Sequence, residues 1–138
     1  MKDALILIHL PWQGHDKIIV GVREYAQDYL MSGKPVYQLL DCCTPCELGL
    51  EDVITVPDRP EASSAIHQIL DIKEMLKTDG IAEAEACGMY RYLCVEGIVT
   101  QLRKVRIDYP YNEKHEARVR QLNEYSVDVE VLEHLSIK

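Results

Sequence analysis

The sequence lacks an excess of positive charge. Its 138 residues include 15 Lys and Arg against 23 Asp and Glu, which gives a formal net charge of −8. A protein that binds nucleic acid in general would present a basic face to the phosphate backbone, so we expect no nucleic-acid partner. A small-molecule ligand stays open, because the net charge says little about it.

Long hydrophobic runs are also missing. The N-terminal stretch MKDALILIHLPWQG contains one short apolar run that ends at Pro-Trp-Gln. Such a run is typical of a buried strand and is too short for a membrane span or an export signal. The cysteines number five, and they do not resemble a disulfide framework. We therefore expect reduced thiols in a cytoplasmic protein that has no membrane partner.

Repeats, low-complexity tracts and linkers are absent as well, and the length suits a single domain over residues 1–138. The chain instead alternates apolar strand patterns with amphipathic helix patterns. This alternation predicts an α/β sandwich with a mostly parallel sheet and helices on both faces. Strands are predicted at residues 4–9, 35–40, 52–56, 81–87, 105–109 and 127–132, and helices at residues 16–32, 62–77, 90–104 and 113–125.

Residues 81–87, IAEAEAC, are ambiguous. The alternation of Ala with Glu83 and Glu85 allows a strand, and the order of elements demands one there. Ala and Glu are nevertheless strong helix formers, and two carboxylates are costly to bury unpaired in a central strand. We predict the strand, and the alternative is one helix from residue 81 to residue 104 that is interrupted at Gly88.

Two short segments are the first places to look for a ligand site. In open parallel sheets, ligands bind at the carboxyl ends of strands, where the strand order reverses. Residues 9–13 follow the first predicted strand, and residues 88–94 follow the fourth. We therefore expect a site between these segments.

Cys94 is open to two interpretations. If a helix begins near Tyr90 or Arg91, Cys94 lies in its first turn, where unpaired N–H groups and the helix dipole favour the thiolate. Cys94 is then a candidate nucleophile. Alternatively, Cys94 forms an i, i+4 row with Ile98 and Leu102 and packs in the core, as free cysteines often do. Helix position alone favours the packing interpretation.

His9 ends the first predicted strand. From there it could reach Cys94 across the sheet and act as the base and ion partner of a thiolate. A lone histidine at such a place is more often a hydrogen-bonded structural residue. Both roles for His9 therefore stay open.

A third candidate is the segment DCCTPC, residues 41–46, after the second predicted strand. Cys43 and Cys46 form a C-x-x-C pair, which suggests thiol redox chemistry, and Cys42 has no assigned role. No long helix follows to lower a thiol pKa, so incidental loop cysteines are the favoured interpretation. A zinc site would need a second ligand pair at matching spacing. None is visible in the sequence, and we expect no metal or other cofactor.

The segment GIAEAEACGMYRYLCVEGIVTQL, residues 80–102, resembles part of the isochorismatase-like cysteine hydrolases, the superfamily that includes nicotinamidases. The shared pattern is a strand, then Gly-x5-Cys-Val, then a helix. ALILIHLPWQ resembles the family's first strand, and residues 52–70 resemble the segment that carries its lysine. The resemblance implies a Rossmann-like three-layer sandwich with a six-stranded, mostly parallel sheet in the order 3-2-1-4-5-6.

The resemblance also implies a mechanism. In the family, a cysteine at the position of Cys94 attacks an amide-like carbonyl carbon and forms a thioester, which water then hydrolyses. A non-proline cis peptide, here at Met89–Tyr90, shapes an oxyanion hole. Its donors here would be the backbone N–H groups of Tyr90 and Cys94.

Two of the three catalytic positions of the family differ in this chain. His9 stands at the aspartate position, and Val56 stands at the lysine position, or Arg59 if the register slips. The family's metal-binding Asp-x-His is only partly echoed, by Asp41-x-Cys43. The side chains that we predict to contact a ligand are Trp12, Gln13, Arg59 and Arg91.

These departures favour a divergent, shortened relative without the standard activity. We expect a homo-oligomeric protein that binds a small ligand or serves as an interaction protein. The first alternative is a hydrolase of small amide-like substrates that uses a dyad of Cys94 and His9. The second alternative is a thiol redox protein that acts through Cys43 and Cys46.

Overall fold

A computed structural model describes residues 1–10, 15–40, 48–57, 66–104, 113–122 and 125–138. Within these residues, five strands form one parallel sheet. The strands are β1 (Ala4–Ile8), β2 (Val36–Leu39), β3 (Ile54–Val56), β4 (Glu83–Gly88) and β5 (Asp128–Val131). Their order across the sheet is β3-β2-β1-β4-β5.

The same residues contain four α-helices. They are α1 (Asp16–Met31), α2 (Ile66–Thr78), α3 (Glu96–Arg103) and α4 (Glu113–Leu122). A π turn (Arg91–Val95) leads into α3, and a 3-10 turn (Glu133–Leu135) follows β5. None of the described helices has the length and apolar character needed to cross a membrane.

The sheet is covered on both faces, so the α/β sandwich predicted from the alternation is confirmed. Ala4, Ile6 and Ile8 of β1 pack in a core cluster with apolar residues of α2, α3 and α4. Leu5 and Leu7 point the other way and pack with α1. Every residue of β1 is buried, which explains its continuous apolar run.

The predicted six-strand order is wrong. β5 pairs directly with β4, with Glu83 opposite Asp128 and Ala86 opposite Val131. The other hydrogen-bonding edge of β4 is occupied by β1, so no further strand can lie beside β4. The six-strand order assigns that place to residues 105–109, which lie outside the described residues.

Residues 81–87 contribute to strand β4, as predicted. The carboxylates of Glu83 and Glu85 fit this strand because they lie in two different environments. Glu83 is exposed, whereas Glu85 is buried and accepts hydrogen bonds from the hydroxyls of Tyr25 (2.6 Å) and Tyr29 (2.5 Å). Burial by itself raises the pKa of Glu85, but these two hydrogen bonds, together with the N-terminal amine and the Lys2 backbone, hold that pKa below its usual value. The carboxylate is therefore buried with partners, and the cost that favoured the helical alternative is removed.

The single helix predicted at residues 90–104 is also corrected. Val95 N–H donates to the Tyr90 carbonyl at 3.1 Å, an i→i+5 bond, before α3 begins at Glu96. The predicted helix at residues 62–77 corresponds to α2, although residues 62–65 lie outside the described part. The other predicted helices and strands within the described residues are confirmed to within a few residues at each end.

Candidate functional site

The strand order reverses between β1 and β4, which are neighbours at the centre of the sheet. Ile8 pairs with Gly88 at their carboxyl ends, and His9 follows β1 directly. A cavity of about 470 Å³ opens at this edge of the sheet. The residues that line it are His9, Tyr92, Leu93, Cys94, Glu96, Gly97 and Ile98. The structure thus brings His9 and Cys94 into one cavity, at the place where parallel sheets bind ligands.

Gly88 allows the two strand ends to approach closely. Its φ is +145°, and a Cβ at this position would lie 1.9 Å from the carbonyl oxygen of Ile8. That same oxygen accepts a hydrogen bond of 2.9 Å from Met89 N–H. Only glycine fits such a backbone, which explains the first residue of the Gly-x5-Cys-Val pattern.

The peptide bond between Met89 and Tyr90 is cis, at the position implied by the resemblance. The Tyr90 carbonyl then accepts hydrogen bonds from the N–H groups of Leu93 (3.0 Å) and Val95 (3.1 Å), which close the π turn. The turn therefore starts directly at the cis bond. That the N–H groups of Tyr90 and Cys94 form an oxyanion hole stays a prediction.

Cys94 is exposed, so the packing interpretation favoured by helix position is wrong. Ile98 and Leu102, the other members of the i, i+4 row, are buried as predicted. The reason is the π turn, whose extra residue shifts Cys94 out of the stripe that α3 presents to the core. Cys94 instead lines the cavity.

His9 is half-buried and is held by two contacts. Its backbone N–H donates to the Leu39 carbonyl at 3.0 Å, and its φ is +49°, an uncommon value for a residue other than glycine. The ring Nε2 lies 2.8 Å from Oε1 of Gln68. The imidazole is thereby oriented at the edge of the cavity.

No positive side chain is seen at the position of the family's lysine. Val56 is fully buried in the core that faces α2, and Arg59 lies outside the described residues. Among the described residues that line the cavity, none is Lys or Arg. Within this part of the wall, only the imidazole of His9 could carry a positive charge.

Arg91 faces carboxylates. Its guanidinium contacts Glu96 at 2.5 Å and Glu133 at 2.8 Å, and the hydrogen bonds to these two hold its pKa above the ordinary value. The guanidinium carbon also lies 5.0 Å from the centre of the Tyr92 ring. Arg91 N–H donates to the Ile137 carbonyl at 2.7 Å. Arg91 therefore joins the π turn to the C-terminal segment, and it is not among the described residues that line the cavity.

Several predicted residues lie outside the described part of the chain: Trp12, Gln13, Asp41, Cys42, Cys43, Cys46 and Arg59. Ligand contacts by Trp12, Gln13 and Arg59, and redox chemistry of the C-x-x-C pair, stay predictions. Of the described cysteines, Cys87 differs from Cys94. It packs on the α1 side of the sheet, and burial raises the pKa of its thiol to about 12.

The residues that the structure describes contain no group of three or more His, Cys, Asp or Glu side chains placed to hold a metal ion. The partial Asp-x-Cys echo of the family's metal motif falls outside those residues. The described side chains therefore give no support for a metal site in this chain.

Sequence reasoning missed Gln68. Its side chain is 2% exposed, and it joins His9 to the neighbouring strand ends. A polar residue among the apolar residues of a helix is ordinarily interpreted as solvent-facing. No local pattern distinguishes a solvent-facing glutamine from a buried one such as Gln68.

A solved structure similar to this chain is the crystal structure of the pyrazinamidase of Pyrococcus horikoshii in complex with zinc. The TM-score is 0.59 and the sequence identity is 14%, over 96% of this chain and 99% of that chain. The chain has the fold of that pyrazinamidase. At this identity the likeness establishes the fold alone. No family model matches the sequence, and no curated protein matches it.

The pyrazinamidase likeness supports the α/β fold with a parallel sheet that the isochorismatase-like resemblance implied. It covers nearly the whole chain, so it includes both strand ends that form the cavity. The number and order of strands differ from that expectation, as described above.

Proposed function

We propose that this chain is a cysteine-dependent hydrolase of a small amide-like compound, with Cys94 as the nucleophile and His9 as the base. One observation carries the proposal: Cys94, which is exposed, and His9 line the same cavity at the switch point of the sheet. The pyrazinamidase fold supports it, because that protein's name denotes an amide hydrolase.

The proposed reaction has two halves. Neutral His9 takes the proton of the Cys94 thiol, and the thiolate attacks the carbonyl carbon of the amide. The oxyanion that forms is stabilised by the backbone N–H groups of Tyr90 and Cys94. The imidazolium then protonates the leaving amine as the C–N bond breaks. Water, activated by His9, cleaves the resulting thioester and releases a carboxylic acid and the free thiol.

The described cavity wall favours an uncharged substrate. Leu93 and Ile98 supply apolar surface, and the carboxylate of Glu96 is already paired with the guanidinium of Arg91. No described lysine or arginine on this wall offers an ion pair to a negatively charged group. In place of the family's lysine, the imidazolium of His9 provides the positive charge next to the thiolate.

Alkylation of Cys94 as a function of pH tests the dyad. Because imidazole assists deprotonation, the rate in the parent protein is expected to reach half its maximum below about 8.5, the pKa of an unperturbed thiol. His9→Ala is expected to move this midpoint upward. Mass spectrometry of the peptide that contains Cys94 separates its reaction from that of the other cysteines.

His134→Ala is the matched control, because His134 is exposed on the 3-10 turn and does not line the cavity. It is expected to leave the midpoint unchanged. Turnover of a panel of small amides, lost in Cys94→Ser, completes the test. A midpoint near 8.5 that is insensitive to His9→Ala, together with no turnover, excludes the proposal.

A second candidate function is small-ligand binding without catalysis. The burial of Val56 at the lysine position favours it, since the described site then has lost two groups of the family's machinery. A ligand would raise the melting temperature of both the parent and Cys94→Ser, with no product formed. Sustained turnover that depends on Cys94 rules this candidate out. The homo-oligomeric state and the cytoplasmic location also stay predictions.

A further inference from the structure

Gln68 lies in α2 with its side-chain amide between the ends of two strands. The amide nitrogen donates to the carbonyl oxygen of Leu40 at 2.9 Å and to that of Val56 at 3.2 Å. Leu40 and Val56 are themselves joined, because Leu40 N–H donates to the Val56 carbonyl at 3.0 Å. The side chain thus lies across the carboxyl ends of β2 and β3, next to His9.

These two contacts determine the orientation of the amide. A primary amide nitrogen has two hydrogens, and a backbone carbonyl can only accept. With the nitrogen facing Leu40 and Val56, both hydrogens have acceptors. The reversed amide would place its oxygen against two carbonyl oxygens, which gives repulsion and no hydrogen bond. The hydrogen-bond network therefore requires that Oε1 faces His9.

The orientation of Gln68 in turn determines the proton on His9. Oε1 of Gln68 lies 2.8 Å from Nε2 of His9, and an amide oxygen can only accept. Nε2 must therefore carry a hydrogen. In a neutral imidazole one nitrogen is a donor and the other has a free lone pair, so the lone pair is on Nδ1.

We infer that Gln68 is a positioning residue that holds neutral His9 in the Nε2–H tautomer and makes Nδ1 its basic atom. The inference rests on the proposed function for its chemical meaning, since it names the atom that receives the Cys94 proton. In that step the S–H bond breaks and an Nδ1–H bond forms. Nε2–H stays on Gln68, so the imidazolium keeps a hydrogen-bond acceptor while it is charged.

The experiment is a long-range proton–nitrogen NMR spectrum of the whole chain with uniform ¹⁵N labelling. The signals of His9 are assigned by their loss in His9→Asn, because the sequence contains five histidines. At a pH where the ring is neutral, we expect a protonated Nε2 and an unprotonated Nδ1. A neutral ring protonated on Nδ1 overturns the inference, whether or not the protein hydrolyses anything.

Two substitutions test the part played by Gln68. Gln68→Met keeps the length but removes the acceptor, so a mixture of tautomers is expected, with Cys94 alkylation about tenfold slower near neutral pH. Gln68→Glu keeps an oxygen acceptor next to Nε2, so the Nε2–H tautomer is expected to persist. Its second oxygen faces the carbonyls of Leu40 and Val56, so this variant is expected to unfold at a lower temperature than the parent. If Gln68→Met does not fold, the tautomer of His9 is tested by the spectra of the parent protein and of Gln68→Glu.

Gln101→Met is the matched control, because Gln101 is a buried glutamine of α3 that does not line the cavity. It is expected to keep the tautomer and the alkylation rate of the parent. An unchanged tautomer in folded Gln68→Met overturns the role of Gln68. A different result is an Nε2–H tautomer as inferred, with a pH midpoint of Cys94 alkylation that does not change in His9→Ala. In that case the proposed function fails, and the positioning role of Gln68 stands.

Discussion

The hydroxyl of Tyr29 donates a hydrogen bond of 2.5 Å to Oε1 of Glu85. Tyr29 belongs to α1 and is fully buried, and Glu85 lies in β4 at the centre of the sheet. Tyr25, one turn earlier in α1, donates to the same oxygen at 2.6 Å. These two tyrosines make it feasible for a carboxylate to occupy a buried parallel strand.

This relationship predicts a pH-dependent cost for Tyr29→Phe. At pH 7 the loss of a hydrogen bond to a buried carboxylate is expected to lower the free energy of unfolding by about 1–3 kcal/mol. The pKa of Glu85 is depressed in the folded protein, so its stabilisation is present above the unfolded value of 4.5 and is lost as the pH falls below it. The cost of Tyr29→Phe should therefore shrink in acid, as measured by urea denaturation at pH 7 and below pH 4.5.

Tyr125→Phe is the control for this prediction. The Tyr125 hydroxyl donates at 2.6 Å to the backbone carbonyl of Ile81, which does not titrate. Its cost should be the same at both pH values. A cost of Tyr29→Phe that is equally independent of pH would contradict the predicted role of the Glu85 charge.

Lys73 gives a second prediction, at alkaline pH. Its side chain is fully buried in α2, with Nζ donating to the Lys104 carbonyl at 2.8 Å, and burial lowers its pKa to about 8. Between this value and the unfolded value of 10.5 the unfolded chain binds more protons, so the contribution of Lys73 to stability rises with pH in that window. Lys73→Met is expected to add about 1–3 kcal/mol to the free energy of unfolding at pH 7, because no charge need be buried.

The advantage of Lys73→Met over the parent should decrease as the pH rises from about 8 towards 10. Urea denaturation of both proteins at pH 7 and pH 9.5 measures it, and contributions of other groups, such as Cys87, cancel in the difference. Lys77→Met is the control: Lys77 lies in the same helix and donates to the Gln121 carbonyl, but it is exposed. It should change stability by no more than about 0.5 kcal/mol. A loss of stability in Lys73→Met at both pH values would refute the prediction.

Two glycines near the cavity should respond oppositely to alanine. Gly88→Ala places a Cβ 1.9 Å from the Ile8 carbonyl oxygen at a φ of +145°, so we expect a loss of about 2–4 kcal/mol. Gly97 lies in α3, and beyond its chain neighbours and the backbone of its own helix nothing lies within 4 Å of an added Cβ. Gly97→Ala should therefore gain about 0.5–1 kcal/mol from helix propensity. Thermal unfolding of the two variants measures both changes in stability. Equal changes would contradict the close approach of the carboxyl ends of β1 and β4 at Gly88.

Local patterns predicted most of the fold. The apolar run of β1, the helical stripe of α1 and the position of Gly88 each reflect constraints that act within a few residues. Burial on both faces, one apolar face and a positive φ leave recognisable signatures in sequence. The spacing from Gly88 to Cys94 matched the family pattern, and the resemblance implied that both residues lie where the strand order reverses.

The candidate site was predicted only in part, since its decisive contacts join residues far apart in sequence. His9 and Gln68 are 59 positions apart, and their contact depends on how α2 packs against the ends of β2 and β3. Cys94 was expected in the core because a regular helix was assumed. The five-residue π turn that precedes α3 instead leaves Cys94 exposed.

By itself, the sequence determined the alternation of strands and helices and the spacing of the glycine and cysteine near the end of the fourth strand, whereas the reversal of strand order between the first and fourth strands was implied by the family resemblance. Only the tertiary structure decided that β5 lies beside β4, that Cys94 faces a cavity shared with His9, and that Gln68 orients the imidazole. The physical reason is the distance along the chain over which each interaction acts. Periodicity and backbone preference act along a few residues, whereas strand neighbours, cavities and buried hydrogen bonds depend on how distant segments pack together.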